Sequence, residues 1–212
     1  MYSTLLLLTG LVFISLSIYT ATKKYNNLSK LSTIIYTIAG ATYLMMSCLQ
    51  MVGNETPIRV LRYIDWYITI PLLILQMSYF FSGQLKLIKL LYPIIFSLLM
   101  LTFGLFGELG FNNEWSIVKE GQLFDLRPDE FKIVCGMIST GLMSQLFISL
   151  SGNLDKSKIK LFTKIFILWI FYPLVYFIPE SNLTMVLFSI ADITTKYGIG
   201  TIMYNDYENK KS

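Results

Sequence analysis

The apolar positions of this chain fall into seven blocks, each about 20 residues long, the length that crosses the hydrocarbon core of a bilayer as an α-helix. They run roughly from Ser3 to Ala21 (A), Leu28 to Val52 (B), Arg59 to Phe81 (C), Leu87 to Gly107 (D), Phe131 to Leu150 (E), Ile159 to Ile178 (F) and Leu183 to Tyr204 (G). The polar stretches between them are short. The sizeable one, Glu108 to Glu130, carries six of the thirteen acidic residues and Trp115, and reads as a polar surface flap with one interfacial anchor. No second domain, repeat or low-complexity tract breaks the pattern. The expectation is an all-α integral membrane protein: one multi-pass, seven-helix domain over residues 1–212, with lipid as its surroundings.

Composition agrees: 54% of residues are hydrophobic, 15% aromatic and 14% charged, with a mean hydropathy of +0.59, outside the range of soluble domains. The first apolar block lacks a basic leader and a small-residue cleavage site, so it reads as helix A rather than a signal peptide. Cys48 and Cys135 fall inside apolar blocks, where neither a disulfide framework nor a metal site has support, and the absence of histidine excludes imidazole chemistry. Nothing in the chain suggests an enzyme.

The formal charge of +4 could suggest nucleic acid, but its distribution argues against such a partner. Lys23, Lys24, Lys30, Lys86, Lys89, Lys156, Lys158, Lys160, Lys164, Lys210 and Lys211 all fall on one side of the spans, against Arg59, Lys119, Arg127 and Lys132 in the connections of the other. The positive-inside rule then puts the N-terminus outside and the C-terminus in the cytoplasm.

Ionisable residues inside a membrane are few, costly and usually functional. Four stand out: Arg62, Asp65, Asp192 and Lys196. On helix C, Arg62, Asp65, Thr69 and Gln76 follow steps of three, four and seven and share one face. On helix G, Asp192 and Lys196 stack at i and i+4. Lys196 sits about thirteen residues into a helix of about twenty-two, near the bilayer midplane at 1.5 Å per residue. A free amine there is pushed toward its neutral, nucleophilic form. An imine formed on it keeps its proton only beside negative charge, and Asp65 and Asp192 are the candidates. Arg62 would balance the second carboxylate, leaving a cluster neutral as a whole. The same residues could instead be a helix-locking ion-pair network, and Thr69 and Gln76 could be helix–helix hydrogen bonders.

The run Arg62-Tyr63-Ile64-Asp65-Trp66-Tyr67-Ile68-Thr69-Ile70-Pro71-Leu72 resembles helix C of the microbial (type 1) rhodopsins, the family of bacteriorhodopsin. Asp192-Ile-Thr-Thr-Lys196-Tyr-Gly-Ile-Gly is similar to that family's motif around its retinal-bearing lysine, and Trp169-Ile-Phe-Tyr172-Pro173-Leu-Val-Tyr176 to its helix F. The resemblance implies a bound all-trans-retinal, attached as a protonated Schiff base to Lys196. It implies Asp65 as primary counterion and proton acceptor, Asp192 as second counterion, and Arg62 as the outward-side switch. Trp66 and Trp169 would sandwich the polyene, while Met100, Gly104, Ser139, Tyr172 and Tyr176 enclose its chain and ring. Singly, each is also ordinary packing between helices. Leu73 resembles the position that separates green from blue proteorhodopsins, and leucine leans green. Trimers and pentamers are usual in the family, so a homo-oligomer is implied.

There are departures. Tyr176 and Gly136 stand where relatives have tryptophan, which suggests a roomier ring pocket. Gln76 stands where fast outward proton pumps have a carboxylic acid, and an amide cannot donate a proton at any relevant pH. On helix B, Ser29, Thr33, Tyr36, Gly40, Tyr43, Ser47 and Gln50 form a stripe that could line a hydrated path or glue B to its neighbours. Short loops, a short tail and the missing donor resemble the compact rhodopsins of giant viruses. Together these imply light-dependent transport of protons or small monovalent cations, as a light-gated cation channel or a slow outward proton pump. The alternative is a photosensor acting through a separate transducer.

Overall fold

The computed structural model describes residues 2–22, 27–53, 56–82, 87–111, 127–152, 154, 156–179 and 182–209. They form seven helices: α1 (Tyr2–Thr22), α2 (Asn27–Met51), α3 (Thr56–Ser82), α4 (Leu87–Phe111), α5 (Pro128–Ser151), α6 (Lys156–Tyr176) and α7 (Asn182–Asn209). Each matches one predicted span. Trp115, Lys119, Lys23, Lys24, Lys86, Lys210 and Lys211 lie outside the described residues.

Five of the helices are long and apolar enough to cross a membrane on length and composition alone. The other two, α3 and α7, carry the Asp65, Asp192 and Lys196 charges. Consecutive helices pack side by side, and α7 returns against α1, closing the bundle into a ring. Its outer surface is apolar, with Leu8, Ile18, Met45, Tyr92, Met137, Ile148, Ile167 and Leu174 all exposed. In water such a girdle would be unstable; in lipid it is the expected exterior, because helices satisfy their own backbone groups. The protein is accordingly an integral, multi-pass membrane protein.

Three prolines sit inside helices, Pro71 in α3, Pro93 in α4 and Pro173 in α6. Each removes one backbone donor from its helix, which neighbouring helices can compensate. α2 ends in a short turn where Gly53 takes φ of 77°, a left-handed conformation that glycine adopts without a side-chain clash. At the start of α5, the Arg127 backbone N–H donates to Glu130 Oε2 at 3.0 Å and its guanidinium donates to Oε1 at 2.9 and 3.0 Å, so one carboxylate closes the first turn.

Two expectations from the sequence do not hold in the folded bundle. α4 continues past Gly107 to Phe111, so Glu108 belongs to a helix rather than a surface flap. Arg59 and Lys132, read as connection residues, are buried within α3 and α5. The helix B stripe divides its contacts between two neighbouring helices. Thr33 Oγ1 meets Thr20 Oγ1 of α1 at 2.9 Å, Ser47 donates to the Ser3 carbonyl of α1 at 2.9 Å, and a Cβ on Gly40 would strike Ile14 of α1. Tyr36 instead donates to the Lys196 carbonyl of α7 at 3.3 Å. Hydroxyls here hold helices together.

Candidate functional site

Lys196 on α7 is 1% exposed, and its Nζ donates to two carboxylates: Asp65 Oδ2 on α3, and Asp192 Oδ2 at 2.8 Å, one turn back on its own helix. The i, i+4 spacing read from the sequence is what stacks the amine on Asp192, since side chains one turn apart lie on the same helix face. Asp65 and Asp192 are 1% and 0% exposed. Buried charges survive only when paired and hydrogen-bonded, which this triad achieves.

The two carboxylates differ. Both oxygens of Asp192 are engaged: Oδ1 accepts from Trp66 Nε1 at 3.1 Å and from the Tyr172 hydroxyl at 2.7 Å, while Oδ2 takes the amine. Asp65 has the amine on Oδ2, and its buried Oδ1 meets no hydrogen-bond partner among the described residues. Thr69, one turn further along α3, donates to the Asp65 backbone carbonyl at 2.8 Å.

Arg62 does not balance the second carboxylate, as the charge arithmetic of the sequence supposed. Its Nη2 donates to Glu108 Oε2 on α4 at 2.5 Å, its Nη1 points at Met185 Sδ at 3.1 Å, and its guanidinium lies 4.3 Å from the Phe188 ring centroid. Glu108 is 4% exposed and also accepts from Tyr63 at 3.2 Å. Arg62 thus pairs with Glu108, while the Lys196–Asp65–Asp192 triad carries one excess negative charge. The sequence held a signal for Glu108, because Met100, Gly104 and Glu108 recur at steps of four and share a face of α4.

Gln76 lies at the far end of the same α3 face. Its Nε2 donates to Ser32 Oγ at 2.6 Å and to the Leu28 carbonyl at 3.3 Å, both on α2.

Beside the triad is an aromatic cavity between α3, α4, α5, α6 and α7, with an almost wholly apolar lining. Seven of the predicted cofactor residues line it together: Trp66, Met100, Gly104, Ser139, Trp169, Tyr172 and Tyr176. Lys196 and Leu73 are not in its wall, although Leu73 is buried in the core nearby. Trp66 and Tyr172 stand between, lining the cavity and donating to Asp192, whose other oxygen holds the amine. Tyr63, Ile70, Leu101, Thr140, Met143, Pro173 and Phe188 complete the lining without having been singled out as contacts, together with Gly136, which the sequence placed at the ring pocket. The roomier ring pocket expected from Gly136 and Tyr176 is partly filled, because a Cβ on Gly136 would lie 2.6 Å from Tyr176 Cε1 and 2.8 Å from Phe177 Cε1. Backbone carbonyls hold the walls in register: Ser139 donates to Met100 O at 2.8 Å and Tyr176 to Gly104 O at 3.2 Å. A long apolar molecule with one reactive carbonyl end fits such an arrangement, with aromatic walls for its length and a buried amine next to the near wall.

The family model for bacteriorhodopsin-like proteins matches residues 1–208. The chain belongs to the bacteriorhodopsin-like family, and is a microbial rhodopsin. It is 25% identical over 219 residues to a green-light absorbing proteorhodopsin of Gamma-proteobacterium EBAC31A08, covering 94% of this chain and 81% of the relative. Its fold matches the proton-pumping rhodopsin of the marine alga Acetabularia acetabulum with a TM-score of 0.78 at 19% identity, over 98% of this chain and 95% of that one. A viral rhodopsin matches with a TM-score of 0.74 at 19% identity, over 98% and 96%. As a rhodopsin, the protein is expected to carry retinal as a Schiff base on a lysine.

Proposed function

We propose that this rhodopsin is a light-driven, slow outward proton transporter with all-trans-retinal on Lys196, the N-terminus outside and the C-terminus cytoplasmic. One observation carries the reading: a buried lysine amine held between two unequal carboxylates, beside an aromatic cavity. When bound, retinal supplies light absorption and the isomerisation that turns the bond at Nζ.

The remaining roles belong to side chains of this chain. The proton on Lys196 Nζ passes to Asp65, whose Oδ2 already accepts from it and whose Oδ1 has no competing donor. Asp192 takes hydrogen bonds from Trp66, Tyr172 and Lys196, which hold its carboxylate beside the amine. Trp66, Trp169, Met100, Gly104, Ser139, Tyr172 and Tyr176 hold the pigment and exclude water from it, and Leu73 backs the site from the core. Arg62 responds to the change of charge on Asp65. Gln76 has no proton to give, and its amide is tied to Ser32 and Leu28. Reprotonation of Nζ therefore draws on water from the cytoplasmic side, which makes it slow and dependent on bulk pH. The attachment of the α2 hydroxyls to α1 favours a pump over an ion-conducting path along that helix.

Photocurrents recorded against voltage in the full-length protein test the direction of transport. A current keeping one sign at all voltages is expected. A current that reverses with the ion gradient would make the protein a cation channel, and no current at any voltage would point to a sensor. For the pigment itself, Lys196→Ala protein mixed with retinal should lack the visible band that hydroxylamine bleaches in the wild type.

A further inference from the structure

Arg62 and Asp65 are one turn apart on α3, yet the guanidinium pairs with Glu108 on α4. Among the described residues, neither Nε of Arg62 nor Oδ1 of Asp65 meets a side-chain or backbone partner, one being a donor and the other an acceptor. An arrangement that joins these two would form a charge-assisted hydrogen bond. Charge favours it as well: the Lys196–Asp65–Asp192 triad holds one negative charge in excess, and Arg62 is the cation nearest in sequence. What opposes it is Glu108, whose Oε2 takes Arg62 at 2.5 Å while Tyr63 steadies Oε1 at 3.2 Å.

We infer that Glu108 is a positioning residue that holds the Arg62 guanidinium away from Asp65 in the dark, keeping Asp65 ready to receive the proton of Lys196. Removing the Glu108 charge frees the guanidinium to lean on the Asp65 carboxylate and stabilise its ionised form. Protonation of Asp65 then needs a lower pH, and transfer from Nζ gains less. The inference rests on the rhodopsin reading above.

Several groups face this cluster: Asp65, Arg62 and Tyr63 from α3, Tyr43 from α2, Lys132 from α5, Tyr172 and Tyr176 from α6, Asp192 and Lys196 from α7, and Tyr2 from α1. The tyrosines are neutral over the acid range of the test below. Asp65 is the carboxyl whose charge the test reads, and Glu108 the one whose charge the substitution removes.

The experiment is a pH titration of the visible band in purified, retinal-loaded full-length protein, following the red shift that accompanies protonation of Asp65. In Glu108→Gln the midpoint should fall by about one pH unit or more, a tenfold weaker proton affinity. Glu108→Asp, which keeps the charge, should remain near the wild-type midpoint. In an Arg62→Gln background, adding Glu108→Gln should change nothing, because the effect runs through the guanidinium. The double variant also removes both charges and leaves neither buried alone, so it is testable where the single one does not assemble. An unshifted midpoint in Glu108→Gln, an equal fall in Glu108→Asp, or a shift that persists without Arg62 would each overturn the inference. Absence of any visible band in the wild type would instead overturn the rhodopsin reading.

Discussion

Trp66 and Tyr172, from α3 and α6, donate to the same oxygen of Asp192, at 3.1 and 2.7 Å. The cavity wall and the counterion are thereby one structure: moving either aromatic changes the charge distribution at the amine. It also separates the two carboxylates of the triad, since Asp192 is saturated with donors and Asp65 is not.

On that asymmetry we propose Asp65 as the proton acceptor. Asp65→Asn should red-shift the absorption band, because one negative charge beside Nζ disappears, and should abolish proton transfer in flash photolysis. A spectrum indistinguishable from wild type would show that Asp65 is not the counterion.

Tyr172→Phe leaves Trp66 as the sole donor to Asp192 Oδ1. A hydrogen bond to a buried charge contributes about 1–3 kcal/mol, so the variant should be less stable by an amount in that range and bleach at a lower temperature. Equal thermal stability would mean that the hydroxyl contributes nothing there.

Gln76→Glu places an ionisable acid where the amide now bonds Ser32 and Leu28. Reprotonation after the flash should accelerate by about tenfold or more, the scale of a positioned general acid. Kinetics that remain slow would place the proton path elsewhere.

Two glycines of α5 should respond oppositely to alanine. A Cβ on Gly136 meets the Tyr176 and Phe177 rings, so Gly136→Ala should destabilise by about 1–3 kcal/mol as overpacking does. It should also shift the band, since Tyr176 lines the cavity. A Cβ on Gly141 meets nothing within 4 Å, and Gly141→Ala should stabilise the helix by roughly 0.5–1 kcal/mol. Thermal bleaching of the two variants side by side decides it.

The seven spans were legible because a bilayer demands long apolar runs, and the triad because an ionisable residue in such a run is too costly to keep without a partner or a task. Lys196 and Asp192 were fixed to each other by helical spacing, and Lys196 to Asp65 by the scarcity of partners. Glu108 was missed for a physical reason: an acid at the edge of an apolar run looks like its end, and only the packing of α4 against α3 turns it inward. The error in Arg62's partner follows from that one. The helix B stripe left a hydrated path and helix–helix contact both open, because hydroxyls that hold two helices together and hydroxyls that face water share one sequence pattern. Tertiary contact alone separates Thr33, which meets α1, from Tyr36, which meets α7.

Lys196 and Asp192 ride on one helix, whereas Asp65 rides on another. A tilt or slide of α7 against α3 carries the first pair along together and stretches the contacts that cross between the two helices, from Lys196 to Asp65 and from Trp66 to Asp192. The bundle can thus convert a displacement of backbone into the loss of one chosen electrostatic partner, with the other kept in place throughout the stroke.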